Sequence, residues 1–334
     1  MYMKAVLLKS LGERPSITDV EEPIERDGWI KLRILRSALC YRDILTYKGM
    51  FPQAKTPLIL GHEFTGIVSG DYPEYGFSNG DQVLTLPYTY CGECEYCLTG
   101  RENLCRRREW YGEHIHGSHT EYILVKPQSI VKLDINIDPN YASIASCVIG
   151  MIINGIDNAG GVEEGDKVLV TGASGGVGIH ALQIAKAYGA ETIAVTRSEE
   201  KAKFIEEVSP DHIIVGGEFA KEVKKLGGVD MVIESVGEPT FNQSLRSLKW
   251  GGRMVVIGNV NVKNVDLQLG LIILRQNSIY GTLSSTRKTL YKAIKLYRLG
   301  KLRAIGMEMK LTDFDKAVEK MESGESRGRI FLKP

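Results

Sequence analysis

The stretch DKVLVTGASGGVGIHALQIAKAYGAE, beginning at Asp166, leaves few folds open. Lys167 to Thr171 reads as a short buried strand, Gly172 to Gly176 as a glycine-rich turn, and Val177 to Tyr188 as a helix with apolar residues at helical spacing. Glycines at 175, 176 and 178 let backbone amides approach a pyrophosphate, which also meets the positive end of the helix dipole. The flanking strand and helix are what turn a bare glycine pattern into a dinucleotide-binding signature. Apolar runs at 212–215 (HIIV), 229–234 (VDMVIE) and 252–258 (GRMVVIG) continue the alternation with helices between them, predicting a doubly wound parallel sheet of the Rossmann type. The expected cofactor contacts are Gly172, Ser174, Gly175, Gly176 and Val177 in the turn. Ser235, Val236 and Gly237, with Ile257 and Gly258, end later strands on the same side and join them.

The end of the second strand bears on which nicotinamide nucleotide binds. An NAD site places an acid there for the ribose 2′-hydroxyl, whereas an NADP site needs neutral or cationic groups for the 2′-phosphate. Here the chain reads Thr196-Arg197-Ser198, with Lys201 one helical turn on, which favours NADP(H). The alternative is a solvated Arg197, with Glu199 bending back to hold the ribose.

Four of the chain's six cysteines fall at Cys91, Cys94, Cys97 and Cys105. In a reducing compartment thiols this close are better explained by metal than by disulfides. Four thiolates in one loop can close a tetrahedral zinc site, which leaves no open position and is therefore structural. An iron–sulfur cluster and unliganded thiols are the alternatives.

The region up to about residue 145 is rich in short apolar strands, glycines and prolines and reads as β-rich. It carries Cys40 and Asp43 in SALCYRDIL, and His62 and Glu63 in LILGHEFTG, while Cys147 follows in IASCVIGM. Two thiolates and an imidazole plus water make an open, catalytic zinc site, although two buried cysteines and a core histidine would have the same composition. A length of 334 residues points to two domains, and a formal net charge of +1 excludes a global bias toward nucleic acid or an acidic membrane. No signal peptide or run of roughly 18 apolar residues is evident, so a soluble, cytoplasmic protein acting on a small molecule is expected.

These residues resemble the zinc-containing medium-chain dehydrogenase/reductases, the alcohol dehydrogenase superfamily, over nearly the whole chain. The resemblance rests on Cys40-x-x-Asp43, Gly61-His62-Glu63, the four-cysteine lobe, Cys147, GASGGVG and the closing GRIFLKP. It implies a GroES-like catalytic domain over 1–144 with its zinc lobe at 91–105, a Rossmann domain over 145–278 and a C-terminal return over 279–334. It implies one structural and one catalytic zinc per chain, the latter held by Cys40, His62 and Cys147 with Glu63 as an intermittent fourth ligand. Asp43 would orient His62, and a homodimer or homotetramer is implied.

One departure matters. Zinc alcohol dehydrogenases usually carry Ser or Thr two residues after the first cysteine ligand to start a proton relay, but Arg42 stands here. A guanidinium cannot relay a proton as a hydroxyl does, so an ion pair with Asp43 or another acid is expected of it. CYRD also resembles the NYRD of zinc-free quinone and enoyl reductases, and ALCYRD, GASGGVGIHA and the Cys147 segment resemble archaeal acryloyl-CoA reductases, which use NADPH. The expected activity is hydride transfer from NADPH to the double bond of an α,β-unsaturated carbonyl compound or enoyl thioester, with Tyr41 or water as proton donor. Zinc-dependent alcohol oxidation is the alternative within enzymes, and NADPH binding without turnover the alternative outside them. His114, His116 and His119 are expected to be solvated loop residues, Arg106 to Arg108 a solvated basic run, and His180 a non-catalytic residue of the first Rossmann helix.

Overall fold

The computed structural model describes residues 1–334. The amino-terminal strands form the frame on which the candidate ligands are mounted. Strand β1 (Tyr2–Leu8) pairs antiparallel with β2 (Ser16–Glu21). Strand β3 (Ile30–Leu39) alternates Ile30, Leu32 and Ile34 inward, as a half-buried strand must. It is followed directly by helix α1 (Tyr41–Tyr47), then β4 (Leu58–Ile59), β5 (Glu63–Val68) and β6 (Gln82–Thr85). After the short helix α2 (Glu95–Leu98) come β7 (Tyr122–Val125), β8 (Ile130–Lys132) and α3 (Pro139–Ile144).

Two apolar cores hold these elements. Leu39, Ile44, Leu58 and Leu60 belong to one, Ile30, Leu32, Phe64 and Val83 to the other, all buried. Truncating any of the large ones to alanine would cost about 2–5 kcal/mol.

Beyond α3 a π-helical turn (Ala145–Gly150) leads into α4 (Met151–Asn158). Helical residues Pro139–Asn158 together reach the length and mean hydropathy of a membrane span, but they include Asn140, Asn154 and Asp157, and 78% of the most apolar 18-residue window is buried inside the fold. It is a core helix.

The second unit contains β9 (Lys167–Val170), α5 (Gly178–Ala187), β10 (Glu191–Thr196), α6 (Glu199–Ile205) and β11 (His212–Val215). It continues through α7 (Phe219–Lys225), β12 (Val229–Glu234), α8 (Glu238–Ser247), β13 (Leu248–Val256), α9 (Leu269–Arg275) and β14 (Ser278–Gly281). All pairings are parallel, in the order β11-β10-β9-β12-β13-β14. The order reverses between β9 and β12, the switch point where ligands of such sheets bind. The loops after β9 and β12 carry the expected cofactor residues 172–177 and 235–237, and the remaining ones end or follow β10 and β13.

Helix α10 (Arg287–Arg298), strand β15 (Gly306–Lys310), helix α11 (Phe314–Glu322) and strand β16 (Arg329–Lys333) complete the chain. Strand β16 pairs antiparallel with β3 and parallel with β15, so the last residues extend the sheet of the first unit. The units comprise 1–147, 286–290 and 306–334 in one, and 148–285 with 291–305 in the other. The expected divisions after 144 and 278 therefore shift. Strand β14 is the sixth strand of the parallel sheet, which keeps residues 279–281 in the second unit, and residues 291–305 return to it.

Candidate functional site

Cysteines 91, 94, 97 and 105 come together around α2. Sulfur separations are 3.8 Å for Cys91–Cys97, 3.5 Å for Cys94–Cys97 and 3.5 Å for Cys91–Cys105. Metal–sulfur bonds of about 2.3 Å at tetrahedral angles place sulfurs about 3.8 Å apart, so the quartet fits zinc. The half-buried Cys91 thiol is lowered to about 6, first by a backbone hydrogen bond from Glu93.

The second cluster joins Cys40, His62, Glu63 and Cys147, whose ligand atoms all lie within 4.8 Å of one another. Local sequence explains how each arrives. Cys40 is the N-cap of α1, and Asp43 at the third helical position accepts from the Cys40 backbone N–H through Oδ2 at 2.9 Å, half of a capping box. Asp43 Oδ1 lies 3.0 Å from His62 Nδ1. A carboxylate there accepts the Nδ1 proton and leaves the Nε2 lone pair for a metal. His62 Nε2 is buried and has no hydrogen-bond partner, an orphaned atom that a metal would satisfy. Cys147 lies in the π-helical turn, a departure from α-helix that recurs at functional sites.

Electrostatics separates these groups. The hydrogen bond from Cys147 lowers the Cys40 thiol well below its ordinary value despite burial, while that same bond, together with burial, raises Cys147. Burial works against ionisation of Asp43, but His62 and His119 outweigh it and hold the carboxyl well below the usual range. Burial pushes Glu63 up to about 8, against the pull of Arg329. Arg329 donates from Nε to Glu63 Oε2 at 2.9 Å and from its other arm to Oε1. Sequence reasoning passed over Arg329, although GRIFLKP contained it.

Arg42 is not paired with Asp43. It forms a two-point ion pair with the buried Glu113, with Nε 3.2 Å from Oε2. Its guanidinium lies 4.3 Å from the Phe51 ring centroid and 5.0 Å from that of Trp110. Gln53 donates to the other Glu113 oxygen at 2.7 Å. Tyr41 opens α1 and packs, part-buried, against the first core.

In the second unit, the turn from Gly172 to Val177 joins β9 to α5, with Gly172 at φ +58°. A Cβ on Gly178 would lie 2.3 Å from Gly172 O, so this close approach requires glycine. Thr196 ends β10, Arg197 is exposed, and Ser198 caps α6 by accepting from the Lys201 backbone N–H at 3.4 Å. Glu234, buried at the end of β12, accepts from Thr171 Oγ1, Val236 N, Gly237 N and Thr240 Oγ1 at 2.7–3.0 Å. It thereby shapes the 235–237 turn. Ile257 and Gly258 follow β13 and donate to Glu234 O, and a Cβ on Gly258 would meet Ser235 O at 2.0 Å. His180 does not face solvent: Ile305 N donates to its Nε2 at 3.1 Å, so Nδ1 donates to Gly176 O at 2.7 Å and braces the turn.

The histidine segment divides. His116 is exposed and His114 half-buried, each accepting a backbone N–H through Nδ1, but His119 is fully buried. Arg106 and Arg107 are exposed as expected. A cavity of about 920 Å³ beside Met3, Trp29, Ile59 and Tyr122 includes none of the cluster ligands.

Comparison with known proteins agrees with this construction. The zinc-binding dehydrogenase family pattern matches residues 176–298, and that of the alcohol dehydrogenase GroES-like domain matches residues 26–135. An acryloyl-coenzyme A reductase of Sulfurisphaera tokodaii is 42% identical over 336 residues, covering 99% of this chain and 100% of that protein. An alcohol dehydrogenase of Geobacillus stearothermophilus is 33% identical, with 99% of each chain covered. The solved alcohol dehydrogenase of Aeropyrum pernix superposes with a TM-score of 0.91 at 27% identity, over 99% of this chain and 100% of that one. These relatives are oxidoreductases, so the reading as a binding protein without turnover falls away. The chain is an oxidoreductase and belongs to the zinc-containing medium-chain dehydrogenase/reductases, the alcohol dehydrogenase superfamily.

Proposed function

We propose that this protein uses NADPH to reduce the activated carbon–carbon double bond of an enoyl thioester, acryloyl-CoA being the first candidate. The observation that carries the reading is the ion pair of Arg42 with Glu113: the position where an alcohol dehydrogenase needs a relay hydroxyl holds an immobilised cation. The full-length similarity to an acryloyl-coenzyme A reductase supports it.

When bound, NADPH supplies a hydride for the β-carbon, and zinc supplies a Lewis acid toward a carbonyl oxygen. Cys40, His62 and Cys147 would hold that zinc, with Glu63 available and neutralised by Arg329. Asp43 keeps His62 in the tautomer that binds through Nε2. The turn 172–177 would receive the pyrophosphate, with the 235–237 and 257–258 loops alongside it. Arg197, Ser198 and Lys201 would meet the 2′-phosphate. Tyr41 or a water delivers the proton to the α-carbon. A homodimer or homotetramer in the cytoplasm belongs to the same reading; exposed Val260, Leu269, Ile273 and Leu274 support an interface.

The preserved Cys40-His62-Glu63-Cys147 set and the 33%-identical alcohol dehydrogenase favour a second reading, aldehyde reduction or alcohol oxidation. NADPH oxidation by purified protein with acryloyl-CoA, a simple enone and a simple aldehyde separates the two. Turnover confined to the unsaturated substrates is expected, and turnover of the aldehyde alone would replace the first reading with the second.

A further inference from the structure

The His119 ring faces Asp43 Oδ2, while the other oxygen of that carboxylate lies 3.0 Å from His62 Nδ1. The His119 Nδ1 lies 2.8 Å from Ser37 Oγ, which lies 2.8 Å from Ser118 Oγ, and all three residues have no exposure. Its Nε2 lies 3.4 Å from Asp43 Oδ2, off the line of a strong hydrogen bond, and has no other partner.

The fold reserves space for this ring. Gly61 has φ +100°, and a Cβ there would lie 2.7 Å from His119 Nδ1 and 2.8 Å from its backbone N. Phe314 lies on the ring with centroids 5.5 Å apart. The glycine that opens Gly61-His62-Glu63 is thus matched to an imidazole from a different segment.

The carboxylate beside Nε2 selects the tautomer. An Nε2 facing a carboxylate carries the proton, so Nδ1 accepts from the Ser37 hydroxyl, whose oxygen accepts from Ser118. Asp43 Oδ1 engages His62, while Oδ2 receives the Cys40 N–H at 2.9 Å and faces His119. His62 and the Cys40 N–H engage the two oxygens. The His119 ring, an N–H donor 3.4 Å from Oδ2, adds an electrostatic hold on that oxygen against rotation away from His62.

We propose that His119 is a positioning residue for the metal centre, acting through Asp43 to hold His62 with Nε2 free. The inference rests on the reading of the Cys40-His62-Glu63-Cys147 cluster as a zinc site. Removing a partner outside the ligand set typically weakens a metal site 10- to 100-fold, and one step further out an effect of about tenfold is expected.

The test compares wild type with His119→Gln, His119→Asn and His119→Phe as full-length protein. Zinc per chain is measured first, then zinc release to a colorimetric chelator. A glutamine amide can sit near the Nε2 position and an asparagine amide near Nδ1. The wild type is expected to lose zinc in two phases, the faster from the open cluster. Asn and Phe should accelerate the fast phase about tenfold, Gln should stay near wild type, and the slow phase of the four-cysteine lobe should not move. If Phe does not fold, Gln against Asn decides alone. Two zincs in the wild type with unchanged release in Asn and Phe, or equal acceleration in all three, would overturn the role of His119 and leave the zinc reading standing. A wild type holding zinc only in the lobe would remove both.

Discussion

Arg329 donates from Nε to Glu63 Oε2 at 2.9 Å, bringing the final strand onto the motif that carries His62. Both side chains are buried, so neither charge has water to fall back on. Arg329→Leu should destabilise the protein by on the order of 3 kcal/mol, since breaking a buried pair from one side leaves the other charge uncompensated. Adding Glu63→Gln should recover much of that loss in urea unfolding; no recovery would show that Arg329 acts by packing alone.

Arg42→Thr would restore the hydroxyl of an alcohol dehydrogenase at a cost. Glu113 is 2% exposed and would lose its cation, so stability should fall by about 3 kcal/mol. The double variant with Glu113→Gln should fold normally and gain alcohol oxidation relative to wild type. Alcohol and enone rates both equal to wild type in that variant would show that residue 42 does not separate the two chemistries.

Zinc analysis of Cys97→Ala should find one ion fewer per chain, with the remaining metal in the Cys40 cluster. Three sulfurs cannot close the tetrahedron. Acid should release the lobe metal in the wild type as the thiolates take up protons. Retention of the full metal content in Cys97→Ala would argue against the four-sulfur site.

Arg197→Asp replaces the exposed cation at the end of β10 with the acid of an NAD site. Losing a charge-assisted hydrogen bond to phosphate is worth about 1.5 kcal/mol, so KM for NADPH should rise about tenfold while that for NADH falls. An unchanged NADPH-to-NADH ratio would return Arg197 to the solvated surface.

Burial pushes the Tyr111 hydroxyl up to about 12 from 10, which gives a pH signature. Between those values the unfolded chain has released the proton and the native protein has not. Stability is therefore intact below pH 10 and is lost as pH rises toward 12, by up to about 3 kcal/mol. Tyr111→Phe gives up the hydrogen bond that Lys126 N donates at 3.0 Å, costing about 1 kcal/mol at neutral pH. Its urea midpoint should then fall less steeply than wild type across the alkaline range; parallel curves would contradict the assignment.

What the sequence determined by itself was local. The four-cysteine spacing, the strand–glycine turn–helix and the Cys-x-x-Asp of α1 each lie within a short segment, so steric limits and periodicity decide them before any long-range contact forms. From these the two-unit architecture, the four-cysteine cluster and the glycine turn between β9 and α5 were legible. Tertiary structure decided the partners. That Arg42 meets Glu113 instead of Asp43, that Arg329 covers Glu63, and that His119 is buried beside Asp43 while His116 is exposed depend on pairings 71, 266 and 76 residues apart. No periodicity encodes such pairs: burial removes the solvent that would otherwise satisfy each polar group, and only the packed fold selects which group replaces it.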